Sequence, residues 1–487
     1  MRKKIWQHRF LLGCLGLAAI LRLPSLFEPF WYGDEGIYLT LGLAIKKGLV
    51  LYRDIHDNKP PLLYFLAFLA GSVFWFRAIL LTWMLATTAL FWDLASSLFP
   101  QQPKLTKIST VAFALLSSVP LIEGNVANAE IFMIGTTIAA FYLFLKAKTH
   151  LHFLLAGLLF SCSTLFKVPA GFDLAAAAIF ILFWLTRKNL KDSALNLAAL
   201  VLGYLLPIGL TAVYFTAHGA LAFYLKAAFM QNIPYLSSWA AGTMSGGGVT
   251  AKTGLMIRAL ALSVGLFSVY RLKAHLLRPT VLITIWFLMA LFAAALSERP
   301  YPHYLIQVLP AFCLILGLLF AGAGVMIRRL AFGLIAVLAV TVMAIQFWLY
   351  PVFGYYTNFL SYLGGFHKQT QYFAWFNPQA NQTYELAKFL SLYTTENEKV
   401  FIWGDEPNVY ALSRRLPVGR YTVAYHIADF NGYQETMTAL RENPPRYLIV
   451  MKNEKRLFSD LNGFINNYYL LEKDFDGTKI FRRQSVI

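Results

Sequence analysis

Two adjacent carboxylates, Asp34 and Glu35, stand in the stretch WYGDEGIYL, directly behind the first apolar run of the chain. A second dense group follows in LYRDIHDNKPP, where Tyr52, Arg53, His56, Asp57, Asn58 and Lys59 share one short loop. Titratable groups crowded against an apolar platform are where a general base is expected. A carboxylate there can take a proton from a hydroxyl, and a lysine beside it can meet an anion. GDE recurs in FIWGDEPNVY. There a strand running into Gly404, with Pro407 shortly after, makes Asp405 a helix N-cap and Pro407 a first-turn residue. The first GDE has its own structural reading, with Asp34 capping a helix that begins at Glu35. The neighbouring loop tips that choice toward chemistry.

Other polar groups interrupt apolar sequence. ERPYPHY brings Arg299 and His303 into one proline-rich turn, a pattern suited to an anion. FKVPAG puts Lys167 at a span end, where it either snorkels to the interface or meets a ligand. EGNVANAE supplies Glu123, Asn125, Asn128 and Glu130, the last being either a first-turn acid favoured by the helix dipole or a site residue. Asp173 is an acid inside an apolar run, a pairing or functional candidate. SGGGVTAKTG lacks the GK[ST] spacing of a phosphate loop and reads as a mobile outer loop. Asn381 and Thr383 form a glycosylation sequon that matters only in a eukaryotic secretory setting. His150, His152, His218 and His275 stand singly, and Cys14, Cys162 and Cys313 lie far apart in apolar runs, so neither a disulfide framework nor a metal site is expected.

These groups are positioned by an apolar scaffold. The 487 residues are 58% hydrophobic and 14% charged, with a mean hydropathy of +0.55, which soluble domains do not reach. A crossing helix needs about 20 apolar residues. With that length the spans fall near 9–26, 77–98, 107–122, 131–147, 151–166, 169–186, 195–216, 254–270, 280–297, 304–325 and 330–350, about eleven in number. The start resembles a secretory signal but has Arg22 and Pro24 where small residues would be cleaved, so it reads as an uncleaved span. With that end inside, alternate loops carry Lys and Arg, as the positive-inside rule requires, and the acids, which that rule does not sort, fall on or near the outer loops. The net charge of +18 is then topological, and nucleic acid is not an expected partner.

The expected organisation is a membrane part, 1–350, including a first extracytoplasmic loop 27–76, then a linker 351–375 and an extracytoplasmic α/β domain 376–487. In the loop, EGIYLTLGLAIKKG reads as an amphipathic interfacial helix and PPLLYFLAFLAGSVFWF as an interfacial or re-entrant piece. In the last part QTYELAKFLSLY reads as a helix, KVFIWG and PRYLIVM as strands, and YYLLEKD with TKIFRR as a closing hairpin.

The order WYGDEGIY, GLVLYRDIHDNKPPLLY and RPYPHYLIQVLP resembles glycosyltransferase family 39, which includes protein O-mannosyltransferases and lipid A aminoarabinose transferases of the GT-C membrane fold. The resemblance implies Asp34 as general base, Glu35 beside it in acceptor binding, and Lys59, His303 and Tyr304 near the donor phosphate. Arg299 and Lys167 match more loosely, and Glu130 more loosely still. Tyr52, His56 and Asp57 of the same loop join the binding set. It further implies a polyprenyl-phosphate sugar as donor, a hydroxyl on a protein, lipid or glycan as acceptor, and inversion at the anomeric carbon. No cofactor is expected, metal binding is not supported by the pattern although Asp34, Glu35 and Asp57 are the residues that could make a divalent site, and the expected setting is a bacterial inner membrane. The competing class is a transporter or lipid-linked sugar flippase. That class places its charges at the membrane midplane, whereas these crowd at the outer ends of spans.

Overall fold

The computed structural model describes residues 2–233, 249–322 and 324–484. Its helices run, in chain order, α1 (Arg2–Arg22), α2 (Gly33–Lys46), α3 (Leu62–Ala70), α4 (Val73–Leu98), α5 (Pro103–Leu116), α6 (Ala129–Leu145), α7 (His150–Phe166), α8 (Gly171–Phe183), α9 (Leu190–Ala217), α10 (Leu221–Ala228), α11 (Val249–Leu272), α12 (Arg278–Ala294), α13 (Leu309–Ala321) and α14 (Val325–Ile345). Each apolar run read from the sequence coincides with one of these. Among the described residues five helical stretches, His8–Leu26, Val73–Leu98, Leu190–Ala217, Gly254–Leu272 and Val325–Ile345, are long and apolar enough to cross a membrane. Five others are apolar but shorter, at 10–17 residues. Prolines and polar turns shorten them. α7 stops at Lys167, and a 3-10 turn carrying Pro169 precedes α8.

The chain divides into two compact units. The first comprises Met1–Leu26, Ala78–Tyr214 and Met230–Tyr355. The second comprises Phe27–Arg77, Phe215–Phe229 and Tyr356–Ile487. The first long loop therefore groups with the C-terminal part, a division that differs from the boundary expected at 350. In the first unit small residues let helices approach closely. A Cβ at Gly157 of α7 would meet the backbone of Leu200 and Tyr204, and one at Gly203 of α9 the backbone of Leu154.

The segment expected as a linker is two helices, α15 (Val352–Leu363), within which the division between the units falls, and α16 (Gln369–Phe376) of the second unit. They are joined by an aromatic cluster in which Tyr362 stacks on Tyr372 at 4.4 Å. There follow α17 (Ala380–Tyr393), β1 (Phe401–Trp403), α18 (Asn408–Ser413), α19 (Ala424–Asp429), α20 (Tyr433–Glu442), β2 (Tyr447–Val450), α21 (Ser459–Tyr468), β3 (Tyr469–Phe475) and β4 (Thr478–Arg483). The strands order β1-β2-β4-β3. β1 and β2 are parallel, and the other pairs are antiparallel. The expected hairpin turns at Asp476-Gly477, both with positive φ, as a tight turn matching strand twist requires. Two apolar clusters centred on Phe401, Trp403 and Leu448 and on Leu390, Ile402 and Ile449 cover the opposite faces of the sheet.

The helix expected to lie on a surface is instead interior. Glu35 through Gly42 of α2 are all buried. Gly42 abuts the Ala67 and Phe68 backbone of α3, and Gly36 abuts Pro407 and Asn408 at the start of α18. Glycine is needed at both places for that approach.

Candidate active site

In the second unit α2 begins at Gly33 after Tyr32, so Asp34 sits in the first turn and does not cap the helix. Its Oδ2 accepts a hydrogen bond from the Tyr38 hydroxyl at 2.9 Å, one turn on. The same oxygen pairs with Lys59 Nζ at 3.1 Å. Lys59 also lies 4.9 Å from the centre of the Tyr38 ring. Both charged side chains keep partial access to solvent, 20% for Lys59 and 28% for Asp34. The first GDE and the DNKPP loop thus meet in a direct contact.

Glu35 is placed differently from an acceptor-binding group. Its side chain is fully buried, and Arg77 grips it through Nη2 at 2.6 Å and Nε at 3.1 Å. Arg77 also donates to the Glu28 and Pro29 carbonyls, and Glu28 accepts from Trp31 Nε1. This buried network fixes the first turn of α2, and with it Asp34. Arg77 escaped the sequence reading. A lone arginine at the head of an apolar run was the only signal it gave.

The loop carrying Lys59 is braced from inside. The Tyr52 hydroxyl donates to the Lys59 carbonyl at 2.8 Å, and that of Tyr64 donates to Asp57 Oδ2 at 2.8 Å. Tyr52, Tyr224 and Phe215 pack ring against ring. Tyr52, His56 and Asp57 are therefore buried supports of the loop. C-terminal residues complete the brace. The Arg420 carbonyl accepts from the His56 N–H at 2.8 Å, and Arg420 Nη1 donates to the Tyr52 carbonyl at 3.2 Å. His426 Nε2 lies 3.6 Å from Asp57 Oδ1. Its ring meets His56 at 5.7 Å between centres. Burial, and then the nearby Lys59 charge, push His426 down to about 3. Burial, with His426 and Arg420 beside it, holds His56 well below its ordinary value. Among the described residues neither ring nitrogen of His56 has a hydrogen-bond partner.

The second GDE departs in detail from its expectation. α18 starts after Pro407, not at Asp405. The Asp405 carboxylate accepts from the Tyr425 N–H at 3.0 Å, in the first turn of α19, and pairs with Arg456 at 2.7 Å. Asp405 thus serves a different helix from the one expected. Its neighbour Glu406 is buried, and burial raises its carboxyl to about 7.

The remaining expected residues lie in the first unit and form their own cluster. His303 Nδ1 is 2.7 Å from Glu123 Oε2 and its Nε2 is 3.6 Å from Glu130 Oε1. Lys167 pairs with Glu130 and lies 4.0 Å from the centre of the Tyr304 ring. Burial opposes the charge on His303, but the Glu130 and Glu123 carboxylates outweigh it and hold the imidazole above its ordinary value. Two acids thus face Lys167 and His303. Arg299 is buried on the loop between α12 and α13. Asp173 accepts from Trp286 Nε1 at 2.9 Å and from Gln307 Nε2 at 3.1 Å.

Residues 245–248 of SGGGVTAKTG lie outside the described residues, and the rest of that stretch, expected as part of a mobile loop, begins α11. Among the described residues no three His, Cys, Asp or Glu side chains stand where they could hold a metal ion.

The fold has known counterparts. ArnT from Cupriavidus metallidurans bound to undecaprenyl phosphate matches 99% of this chain and 98% of its own, at 11% identity and a TM-score of 0.57. The same protein in the apo state gives 12% identity and 0.57. The archaeal oligosaccharyltransferase AglB from Archaeoglobus fulgidus, in complex with an inhibitory peptide and a dolichol-phosphate, matches 99% of this chain and 75% of its own, at 14% identity and 0.51. At such identities the likeness is one of fold, the GT-C membrane fold anticipated from the motifs. No protein-family model and no curated protein sequence matches the chain.

Proposed function

We propose that this chain transfers a sugar from a polyprenyl-phosphate donor to an acceptor hydroxyl on the extracytoplasmic face of a membrane, with Asp34 as general base. The observation that carries this reading is the contact of Lys59 and Tyr38 with one oxygen of Asp34 in the first turn of α2. In such a reaction the acceptor oxygen bonds to the anomeric carbon while the bond from that carbon to the phosphate oxygen breaks. The hydroxyl proton passes to the carboxylate, and the polyprenyl phosphate leaves with the electron pair. Direct attack inverts the anomeric carbon.

The base must lie within hydrogen-bond reach of the hydroxyl, and the developing phosphate charge needs a cation. Asp34 and Lys59 are the pair assigned to those roles. Glu35 and Arg77 position α2. Tyr52, His56 and Asp57 position Lys59. Lys167 and His303 are matched by Glu130 and Glu123, so they are assigned to holding their own loops, with Tyr304 packed on Lys167. The donor class is supported by a fold shared with a protein bound to undecaprenyl phosphate and one bound to a dolichol-phosphate. The face is supported by basic loops on the opposite side.

The test supplies membranes containing the chain with radiolabelled polyprenyl-phosphate sugars and follows the label. The proposal expects covalent transfer to an acceptor and release of polyprenyl phosphate. Movement of intact donor across the bilayer with no transfer would favour the transporter reading and overturn it.

A further inference from the structure

We infer that α15 and the turn after it rest on the lipid surface, as an interfacial strap between the last long apolar helix and the C-terminal part of the chain. The helix is two-faced. Tyr355, Phe359 and Tyr362 turn inward, Tyr362 against Tyr372, while Leu360 and Leu363 on the other side are 64% and 58% exposed, and Phe366 in the turn is 83% exposed. The inward face is satisfied by the chain's own aromatic cluster, so the outward face is held toward something apolar.

Lipid fits that face on three independent grounds. α14 ends at Ile345 and is long and apolar enough to cross a membrane. The six residues before α15 span at most about 20 Å, so α15 cannot leave the vicinity of the bilayer surface. The segment is dense in Phe, Tyr and Trp, the composition of the interfacial belt. Finally, no Asp or Glu occurs from Val352 to Tyr384, and Lys368 follows directly on the turn. A surface meant for anionic headgroups omits acids and supplies a cation. A protein partner would not require an acid-free stretch of that length.

The test uses the full chain with Cys14, Cys162 and Cys313 replaced by Ala, one chain per disc, in nanodiscs of phosphatidylethanolamine and phosphatidylglycerol. Nitroxide labels are placed at Leu360→Cys and Phe366→Cys. The references are Leu457→Cys, 86% exposed in the C-terminal part, and Leu210→Cys, 62% exposed on apolar α9. Collisions with oxygen report lipid, and collisions with a water-soluble nickel chelate report solvent. The expected result is an oxygen-to-nickel ratio at 360 and 366 shifted from the Leu457 value toward that of Leu210. A ratio equal to that at Leu457 would overturn the inference by placing the face in water. Low collision rates with both probes would overturn it too, because they would mean a protein-covered face. The readout needs no transferase activity, so it stands or falls apart from the proposed reaction.

Discussion

Asn408, at the start of the helix that follows the second GDE, packs against Gly36, two residues after Asp34. A Cβ added at Gly36 would run into the Asn408 side chain, and would lie 2.8 Å from the Asn408 nitrogen and 3.0 Å from the Pro407 carbonyl carbon. The two GDE motifs, far apart in sequence, thus meet through the helices they begin. Thr40 extends the contact, its hydroxyl 3.5 Å from the Pro407 carbonyl.

Gly36→Ala should therefore destabilise the protein by ~1–3 kcal/mol, the usual cost of overpacking, because backbone atoms cannot swing aside. Gly42→Ala should behave likewise against the Phe68 nitrogen at 2.6 Å. Gly33→Ala, with nothing within 4 Å, should be neutral or slightly stabilising. Thermal unfolding of the three purified variants checks the ordering.

The Arg77–Glu35 pair predicts an asymmetric response. Arg77→Ala leaves Glu35 buried without its cation, and breaking such a pair costs about 3–5 kcal/mol. Glu35→Gln keeps a hydrogen-bond acceptor for Arg77 and should be milder. The yield and unfolding temperature of the two variants decide this. Equal, small effects would mean that the pair does not hold α2.

Two buried groups in the C-terminal part should shape stability against pH in opposite senses. Glu406 is raised from 4.5 to about 7, so the native state holds a proton that the unfolded state releases first. Its contribution is full below about pH 4.5 and is lost as pH rises through about 7, amounting to ~3 kcal/mol. His426 is lowered from 6.5 to about 3, so the unfolded state gains the proton first. Its contribution is full above about pH 6.5 and is lost as pH falls toward 3. Glu406→Gln should then raise relative stability at about pH 8, and His426→Gln should do so at about pH 5. Denaturation series at both pH values test the two signs.

These relationships mark what the sequence could disclose. Apolar runs near the length of a crossing helix locate helices, because in lipid nearly every backbone group must be paired within the segment. The α17 helix, the strands and the Asp476-Gly477 hairpin follow from local patterning. The burial of α2 does not, because it depends on α3 and α18, and α18 is supplied from the far end of the chain. An isolated reading of EGIYLTLGLAIKKG sees a surface helix. The same limit hid Arg77, Arg420 and His426, whose partners Glu35, Tyr52 and Asp57 are distant in sequence. It also misassigned Asp405, whose carboxylate is claimed by Arg456 and the Tyr425 N–H instead of its own helix. The motifs nominate Asp34 and Lys59 individually, but their contact is not legible, because it closes over 25 residues that include α2.

The central claim is that Asp34 takes the acceptor proton. It is tested most directly by single-turnover transfer from a prebound radiolabelled polyprenyl-phosphate sugar in the parent, Asp34→Asn and Asp405→Asn proteins. All three should bind donor, Asp405→Asn should transfer as the parent does, and Asp34→Asn should be slower by ~10²–10⁴-fold, the range of a lost general base. Transfer by Asp34→Asn at the parental rate would contradict it.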